Sequence, residues 1–400
     1  MSKALFGLPE KILFCKKCVI SNQRPNSTVE FKHLSTDRKE TIDFDANGVC
    51  SACNYELIKS KEIDWGKRAS NLESLLSRYR RSDGGYDVIV PGSGGKDSAF
   101  TSHILKYKYG MNPLTVTWAP HKYTDIGWKN FENWIHAGGL DNILFTPNGI
   151  LHRDLTRRAF INLLHPFQPF IVGQRIIGPK MAAKFGVKLV MYGENQAEYG
   201  NNPDDNYVPT MDKKFFSVQD PYDMILGGER VGNIISEGKF TINDFAPYIP
   251  PSAEYLESKS IEVHYLGYYL KWDPQECYYY AVENTAFQAN SERTEGTYSK
   301  YSSIDDRIDM FHYLTTLIKF GIGRATYDAS QEIRNGKITR EEGVALVQKY
   351  DLEFPHKYFK DFLEYVNLSE NEFYEIVDRF RSPHLWERGS VGWHLKKQVQ

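Results

Sequence analysis

The stretch Tyr86-Asp87-Val88-Ile89-Val90-Pro91-Gly92-Ser93-Gly94-Gly95-Lys96-Asp97-Ser98 decides the fold of this chain. It joins a short apolar run from Tyr86 to Val90, typical of a buried strand, to a glycine-rich turn, and a helix is predicted to follow at once, from about Asp97 to Tyr109. Glycines in such a turn let backbone N–H groups converge on an oxyanion, and the helix N-terminus adds unpaired donors and a partial positive charge. The stretch therefore predicts a phosphate-binding loop between a strand and a helix.

The segments on both sides of this loop alternate between short apolar runs and longer amphipathic stretches. Further strands are predicted at Leu114 to Trp118, Ile143 to Phe145 and Lys188 to Tyr192, with helices near Gly127 to Ala137 and at about 151–185. This βαβαβαβ series predicts an α/β fold with a parallel sheet covered by helices. A connecting helix is predicted at 64–81 and long loops that carry substrate contacts at 193–255. Helices are predicted beyond about residue 300, where Thr339 with Glu342 and Ser369 with Glu372 form capping-box pairs.

The loop is not that of an ordinary P-loop NTPase. A Walker A loop has glycine six places before its lysine and Ser or Thr directly after it, whereas this chain has Val90 and Asp97 at those positions. The run Ser93-Gly94-Gly95-Lys96-Asp97-Ser98 instead resembles the Ser-Gly-Gly-x-Asp-Ser signature of the PP-loop ATP pyrophosphatases. Enzymes of that superfamily cleave ATP between the α and β phosphates and transfer AMP to a carbonyl or amide oxygen.

The superfamily resemblance implies which residues bind ATP and Mg²⁺. The loop residues Ser93 to Ser98 would hold the phosphates, with Lys96 and Asp97 as catalytic residues, and Trp118 at the end of strand 2 would lie against the adenine. Strands 1 and 4 would be neighbours at the reversal of strand order, where ligands bind, so Glu194 and Asn195 would face the loop and hold Mg²⁺ or the activated group. A solvated turn at Glu194-Asn195 and a core position for Trp118 remain open alternatives. The residues of this ATP site are Ser93, Gly94, Gly95, Lys96, Asp97, Ser98, Trp118, Glu194 and Asn195.

Four of the five cysteines form two Cys-x-x-Cys pairs near the N-terminus, namely Cys15, Cys18, Cys50 and Cys53. Four thiolates suit tetrahedral Zn²⁺, and a closed site of this kind has a structural role. The 31 residues between the pairs exceed the usual spacing of about 15–20, which we interpret as a loop insertion. An iron–sulfur cluster is the alternative. Cys277 is predicted to be a small buried side chain, with a catalytic thiol as the other interpretation.

The sequence beyond residue 300 indicates which molecule accepts AMP. The segment Lys319-Phe320-Gly321-Ile322-Gly323-Arg324-Ala325-Thr326-Tyr327-Asp328, together with Asp45-Ala46-Asn47-Gly48-Val49-Cys50-Ser51-Ala52-Cys53, resembles the N-acetyl sugar amidotransferase family of bacterial surface-polysaccharide (lipopolysaccharide O-antigen and pseudaminic-acid) pathways. The resemblance implies conversion of an acetamido group on a nucleotide-linked sugar into an acetamidino group. Lys319 and Arg324 would neutralise phosphate charge if the helical segment folds back over the site. Ordinary surface positions for these two residues are the alternative.

The attacking nitrogen must be ammonia, which is mostly protonated in neutral water and so must arrive shielded. The chain shows no glutaminase of its own, because position 2 is Ser and Cys277 has no Gly-x-Cys-x-Gly setting. The resemblance also implies a separate glutaminase subunit, with room for a second, synthase-like subunit that conducts ammonia. Two other functions stay open, a tRNA-modifying PP-loop enzyme of the thiolation or lysidine type and a nucleotide-binding scaffold without turnover.

Length and composition limit the possible domain organisation and the possible partners of the chain. The 400 residues allow one large α/β core with smaller parts at its ends, and we expect a zinc module at 1–60, the PP-loop domain at 61–300 and a helical region at 301–400 that completes the active site. The net charge of -2 argues against a wide nucleic-acid surface. We find no apolar segment long enough for a membrane span and no secretory signal, so a soluble cytoplasmic protein is expected.

Overall fold

A parallel five-stranded sheet forms the centre of the computed structural model, which describes residues 3–201, 207–390 and 392–400. The strands are β1 (Val88–Pro91), β2 (Pro113–Trp118), β3 (Asp141–Phe145), β4 (Leu189–Tyr192), β5 (Ile225–Leu226), β6 (Glu229–Arg230), β7 (Glu262–Tyr265), β8 (Trp386–Gly389) and β9 (Gly392–Leu395). The sheet order is β3-β2-β1-β4-β7, while β5/β6 and β8/β9 are antiparallel pairs. The predicted α/β fold is confirmed.

Helices cover the sheet and fill the C-terminal part of the chain. They are α1 (Ser51–Lys61), α2 (Trp65–Tyr79), α3 (Lys96–Tyr107), α4 (Asp125–His136), α5 (Gly149–Leu163), α6 (Gln168–Phe185), α7 (Val231–Ser236), α8 (Ala253–Ser258), α9 (Leu266–Tyr269), α10 (Pro274–Thr285), α11 (Asp309–Phe320), α12 (Arg324–Arg334), α13 (Arg340–Tyr350), α14 (Phe359–Val366) and α15 (Glu370–Arg379). None of the described helices combines the length and apolar character that a membrane crossing needs.

The register of the sheet places the loop after β1 at a reversal of strand order. Ile89 of β1 pairs with Leu114 of β2 on one side and with Val190 of β4 on the other, all in parallel. The connection after β1 leads to β2 on one side and the connection after β4 leads to β7 on the other, which opens a crevice at the carboxyl ends of β1 and β4. The predicted neighbourhood of strands 1 and 4 is confirmed.

Three predictions about elements need correction. The helical stretch at 151–185 is two helices, because Leu164 adopts a left-handed conformation with φ 44° and Pro166 follows two residues later. Helix α1 lies in a segment for which no helix was predicted, because its apolar residues have no helical spacing. The segment at 193–255 is not loop alone, since it contains the pair β5/β6, helix α7 and the start of α8.

One hydrophobic cluster joins residues from all three predicted parts of the chain. It includes Phe31 near the N-terminus, Val190 of β4 and Phe311 of α11, each with at most 2% of its surface exposed. The capping boxes predicted at Thr339/Glu342 and Ser369/Glu372 are present at the starts of α13 and α15. One continuous core runs across the proposed domain boundaries. The division into three domains therefore stays a prediction.

Candidate active site

Close packing explains why the loop after β1 needs its glycines. A Cβ atom on Gly92 would stand 2.1 Å from the Cβ of Ser98, and one on Gly94 would stand 2.8 Å from the Cα of Phe131. Gly94 also has φ 84°, a left-handed conformation that side chains disfavour. The sequence therefore folds into a tight turn that has no room for side chains at Gly92 and Gly94.

Helix α3 begins directly behind this turn. Gly95 is its N-cap residue, and no side chain there accepts the first amides of the helix. The N-terminal amides of a helix have no partners within it and sit at the positive end of its dipole. Residues Ser93 to Asp97 line a cavity of about 390 Å³, which we call the loop cavity. The turn and the helix end can together hold a phosphate.

The C-terminal part of the chain forms the opposite wall of the loop cavity. Asp305, Asp309, Tyr313 and Arg324 line it, and Ser93 Oγ donates a hydrogen bond to Asp305 Oδ2 at 2.9 Å. Arg324 pairs with Asp328 at 3.1 Å and donates to the Tyr313 hydroxyl. The structure thus brings Arg324 to the phosphate loop, as the sequence predicted for the distal segment.

Lys96 and Asp97 form a half-buried ion pair at the start of α3, with Lys96 Nζ 2.5 Å from Asp97 Oδ2. Burial would lower the pKa of Lys96, but the charge of Asp97 and its hydrogen bond outweigh burial and raise it. The second oxygen of Asp97, Oδ1, is buried and has no hydrogen-bond partner among the described residues. An unpartnered carboxylate oxygen in a crevice is a group that a ligand or cation can satisfy.

Glu194 supplies a second carboxylate close to Asp97. Burial raises the pKa of Glu194, and the negative charge of Asp97 raises it further. Tyr199 donates a hydrogen bond to Glu194 Oε1 at 2.9 Å, which leaves the other oxygen for a ligand. Two carboxylates that disfavour each other's charge are the oxygen ligands that Mg²⁺ takes in phosphate sites. Asp97 and Glu194 therefore fit Mg²⁺.

Asn195 has a different position from its neighbour Glu194. Its side chain is fully buried, and its Oδ1 accepts a hydrogen bond from the Ala197 amide at 3.1 Å. This contact caps the short 3₁₀ turn Gln196–Tyr199, while Asn195 Nδ2 has no partner in the described ranges. Asn195 thus holds the turn behind Glu194 and does not line the loop cavity.

Trp118 ends β2 and lines a second cavity of about 330 Å³, which we call the tryptophan cavity. Only 2% of Trp118 is exposed, and a Cβ on Gly173 of α6 would stand 2.2 Å from its ring. The Nε1 donor of Trp118 has no partner among the described residues. The residue therefore belongs to the core and to a cavity wall at once. The two cavities adjoin, because both are lined by Ile171 and Gln174 of α6.

Lys319 is another predicted site residue that does not line the loop cavity. It is 6% exposed, and its amino group donates to the Leu163 carbonyl at 2.8 Å. It lines a separate cavity of about 210 Å³ and not the loop cavity. The expectation that Lys319 contacts the ATP phosphates is therefore wrong. Lys319 lies near the end of α11, and Arg324 at the start of α12 lines the loop cavity instead.

Sequence reasoning missed the aspartates of the opposite wall. Burial raises the pKa of Asp305, with Asp306 adding to the effect, and burial raises the pKa of Asp309 to about 7 against the opposing charge of Arg324. A signal existed in the run Ser302-Ser303-Ile304-Asp305-Asp306, where polar residues crowd just ahead of a helix. Only the fold shows that this run faces the phosphate loop.

Cys277 lies near the loop but is not exposed to it. It is 2% exposed on α10, in the cluster that contains Val88 and Val90 of β1. Burial raises the pKa of the Cys277 thiol well above its usual value, and Asp97 adds to this. The thiol is therefore neutral and packed as a small core residue.

The four N-terminal cysteines meet in one buried cluster. Their sulfur atoms all lie within 4.8 Å of one another, with Cys15 and Cys53 3.9 Å apart and Cys18 and Cys50 3.7 Å apart. Sulfur atoms at about 2.3 Å from one tetrahedral ion stand about 3.8 Å apart, so this cluster fits a metal ion. Hydrogen bonds from Cys18, Cys50 and Cys53 lower the pKa of Cys15, which favours a thiolate there.

The C-terminal residues 295–400 match the family described as LPS biosynthesis protein WbpG-like, C-terminal domain. An uncharacterized protein of Methanocaldococcus jannaschii is 31% identical over 78 residues, which are 20% of this chain and 27% of that protein, so the chain spans less than a third of this relative.

Three solved structures share low similarity with the chain. An NH3-dependent NAD synthetase of Campylobacter jejuni is 17% identical over 34% of this chain and 59% of that chain, with a TM-score of 0.28. An NMN synthetase of Francisella tularensis is 12% identical over 72% of this chain and 97% of that chain, with a TM-score of 0.29. The U34-tRNA thiolase of Methanococcus maripaludis with its [4Fe-4S] cluster is 12% identical over 85% of this chain and 90% of that chain, with a TM-score of 0.31. At these TM-scores the likenesses carry no weight.

The match at residues 295–400 supports the family relation that the distal segment predicts, and it covers Lys319 and Arg324. The wall that Asp305, Asp309 and Arg324 give to the loop cavity belongs to the matched region. The chain therefore joins a parallel α/β sheet to a C-terminal region that matches the WbpG-like family model of LPS biosynthesis proteins.

Proposed function

We propose that this protein is an ATP-dependent amidotransferase of lipopolysaccharide O-antigen biosynthesis. Its acceptor is a nucleotide-linked N-acetyl sugar, whose acetamido group becomes an acetamidino group. The observation that carries the proposal is the loop cavity, in which a free helix N-terminus and the unpartnered Oδ1 of Asp97 face a wall from the WbpG-like domain. In this arrangement the loop that would bind ATP and the region that matches a polysaccharide-synthesis family line the same cavity.

The reaction needs an activated amide because an amide oxygen is a poor leaving group. The acetamido oxygen attacks the α phosphorus of ATP, the bond from that phosphorus to the bridging oxygen breaks, and pyrophosphate leaves. Ammonia then adds to the resulting imidate carbon, the carbon–oxygen bond breaks and AMP departs with the former amide oxygen. Loss of one proton leaves the amidine, so the sum is acetamide, ammonia and ATP giving acetamidine, AMP and pyrophosphate.

Residues of the loop cavity, and Glu194 of the adjoining tryptophan cavity, have assigned parts in these steps. The turn at Gly94 and Gly95 and the start of α3 bind the leaving pyrophosphate through backbone amides, and Lys96 and Arg324 offset its growing charge. Asp97 and Glu194 would hold Mg²⁺, which lowers the repulsion between the polyphosphate and its attacking oxygen when bound. Such an ion suits the cavity, because its wall contains four aspartates, namely Asp97, Asp305, Asp306 and Asp309.

Ammonia comes from a separate glutaminase subunit in this proposal, with a second, synthase-like subunit as a conduit and the cytoplasm as the compartment. The four cysteines hold one Zn²⁺ with a structural role. A single ion is favoured over a four-iron cluster because all four sulfur atoms lie within 4.8 Å of one another, and thiolates at the corners of a cluster must stand farther apart.

The buried Cys277 distinguishes this proposal from a thiolation enzyme. A catalytic thiol must be accessible and deprotonated, whereas Cys277 is buried and its pKa is raised. We expect the Cys277→Ala variant to keep its turnover. A scaffold without turnover is distinguished by pyrophosphate, which the amidotransferase alone releases from ATP in the presence of an acceptor and ammonia.

Mass spectrometry of the acceptor tests the proposal. The chain is incubated with ATP, Mg²⁺, ammonium and a panel of UDP- and CMP-linked N-acetyl sugars. We expect one acceptor to become lighter by about one mass unit, because O is replaced by NH, with AMP formed in equal amount. AMP formation without this mass change, or no AMP with any acceptor, would contradict the proposal. Glutamine in place of ammonium should support turnover only after the glutaminase subunit is added.

A further inference from the structure

A third cavity borders both cavities of the candidate active site. It has a volume of about 210 Å³ and is lined by Lys39, Arg175 and Lys319, among others, and we call it the lysine cavity. It shares Arg175 with the tryptophan cavity and His312 with the loop cavity, while Ile171 lines all three. A ligand that fills the ATP crevice can therefore extend into the lysine cavity.

Three cationic side chains face this small cavity without a carboxylate partner in the described ranges. Lys319 donates to the Leu163 carbonyl at 2.8 Å and Arg175 to the Thr28 carbonyl at 3.1 Å, both neutral acceptors. The Nζ of Lys39 lies 2.5 Å from the Nε2 of His33, an imidazole and not a carboxylate. Lys319 is buried, and Lys39 and Arg175 are partly buried. Buried cations are normally paired with carboxylates, so these three side chains together can bind an anion.

The one carboxylate in the cavity wall does not fill this role. Glu30 is 8% exposed, and its Oε2 lies 3.3 Å from His33 Nδ1 and 3.4 Å from His165 Nε2. It is thus held by two imidazoles. Glu30, His33 and His165 could also hold a metal ion by their spacing, but the amino group of Lys39 on His33 opposes a divalent cation.

Two further features indicate that a ligand belongs in this cavity. The buried Nδ1 of His312, at the border with the loop cavity, has no hydrogen-bond partner among the described residues. Burial lowers the pKa of Lys319 to about 7, and the charge of Lys39 lowers it further against the opposing charge of Glu30, so the positive charge of Lys319 remains costly. A bound anion would stabilise that charge and satisfy the remaining N–H donors.

We propose that the lysine cavity binds the anionic group of the acceptor, through Lys39, Lys319 and Arg175. The inference rests on the proposed function, which makes the acceptor a nucleotide-linked sugar. Two parts of such a molecule carry the same chemistry, the diphosphate that links sugar and nucleoside and a carboxylate on the sugar itself. With this group in the lysine cavity, the acetamido oxygen extends past Ile171 and His312 toward ATP. Lys319 thus acts on the acceptor and not on the ATP phosphates.

Calorimetric titration of the full chain with its ATP site filled tests this inference. The protein is first saturated with Mg²⁺ and α,β-methylene-ATP, so that UDP cannot bind at the loop. UDP, UDP-N-acetylglucosamine and the uronate formed by oxidising its sugar at C6 are then titrated in turn. The variant is Lys319→Met, which keeps the length of the side chain and removes its charge.

The matched control is Lys180→Met. Lys180 is another partly buried lysine that donates to backbone carbonyls, those of Ala246, Pro247 and Ile249, and it lies outside all three cavities. Burial lowers the pKa of Lys180 to about 8, as it does for Lys319. Thermal unfolding of both variants is measured to check that each of them is folded.

We expect Lys319→Met to weaken binding by about tenfold to a hundredfold, the effect of losing a charge-assisted hydrogen bond, and Lys180→Met to bind as the wild type does. If the diphosphate is the anion, all three ligands lose affinity to the same degree. If the carboxylate is the anion, only the uronate does. Unchanged affinity of Lys319→Met for all three ligands would overturn the inference.

The outcome is independent of the proposed function, because no turnover is measured. If the wild type forms the amidine while Lys319→Met binds every ligand normally, the anion site is wrong and the amidotransferase stands. If Lys319 is needed for binding but no acceptor becomes lighter, the anion site stands and the amidotransferase is wrong.

Discussion

The four-cysteine cluster and the loop cavity use their polar groups in opposite ways. The four thiols are buried and lie within 4.8 Å of one another, and the amides of Lys17, Cys18 and Cys50 donate to Cys15 Sγ. The loop cavity leaves Asp97 Oδ1 and the first amides of α3 without partners. The cysteine cluster fits a metal ion that stabilises the fold, whereas the unpartnered groups of the loop cavity mark where a substrate can bind.

Loss of one thiol should have the largest effect on stability. We expect Cys50→Ser to lower the free energy of unfolding by on the order of 5 kcal/mol, because structural zinc contributes about 10–16 kcal/mol in zinc-finger peptides. Denaturant unfolding and metal analysis of the purified variant check this. Cys277→Ala serves as the control for a buried cysteine outside the cluster. Normal stability of Cys50→Ser with loss of AMP formation would indicate a reactive cluster instead.

Loss of the unpartnered carboxylate should leave the fold intact and stop the chemistry. We expect Asp97→Asn to reduce the rate of AMP formation by about 10³-fold, the upper range for a single electrostatic group, while thermal unfolding stays as in the wild type. Lys96→Ala should act in the same direction. Asp223→Asn, an exposed aspartate paired with Arg230, is the control. Unchanged turnover of Asp97→Asn would remove the loop cavity as the active site.

A buried lysine between the two regions should behave like the cysteine cluster. Lys59 is fully buried on α1, and its Nζ lies 3.0 Å from Glu198 Oε2 and 2.6 Å from the Trp272 carbonyl. We expect Lys59→Met to lower the free energy of unfolding by about 3 kcal/mol, because Glu198 would remain as an unpaired buried charge. Denaturant unfolding is the measurement, with the exposed Lys61→Met as the control. A difference below about 1 kcal/mol between these two variants would contradict this.

The smallest effect concerns pH and Asp309. Its pKa is raised to about 7 in the folded protein, mainly by burial, against about 3.9 in an unfolded chain. The unfolded state therefore loses its proton first, and the wild type loses stability as pH rises from about 4 to 7. We expect Asp309→Asn to gain about 2 kcal/mol at pH 8.5 and less at pH 5. An equal effect at both pH values would show that Asp309 does not titrate in this way.

The sequence predicted those parts of the fold that have local signals. The glycine-rich turn, strands β1 to β4 and both capping boxes all have such patterns. Strand β7 was not predicted, because its four residues Glu262-Val263-His264-Tyr265 carry a weak alternation and it joins the sheet only through a distant pairing with β4. Helix α1 was not predicted, because its buried positions include Cys53 and Lys59, which are held by sulfur contacts and ion pairs.

The same limit applies to the candidate site. Ser93 to Asp97 and Arg324 were predicted from motifs and line one cavity in the structure. The opposite wall at Asp305 and Asp309 and the separate position of Lys319 depend on how α11 packs, which no local pattern records. Lys319 and Arg324 are five positions apart in sequence, yet they face different cavities because the chain turns at Gly321, where helix α11 ends with φ 66°.

The central claim is that the amide oxygen of the acceptor attacks ATP at the glycine-rich loop, and an isotope label tests it most directly. The acceptor is prepared with ¹⁸O in its acetamido group and incubated with the chain, ATP, Mg²⁺ and ammonium, and the AMP formed is measured by mass spectrometry. We expect AMP to carry the label, because the bond between the amide carbon and its oxygen breaks while the bond between that oxygen and phosphorus remains. Unlabelled AMP, with the label still in the sugar or released to water, would contradict the claim.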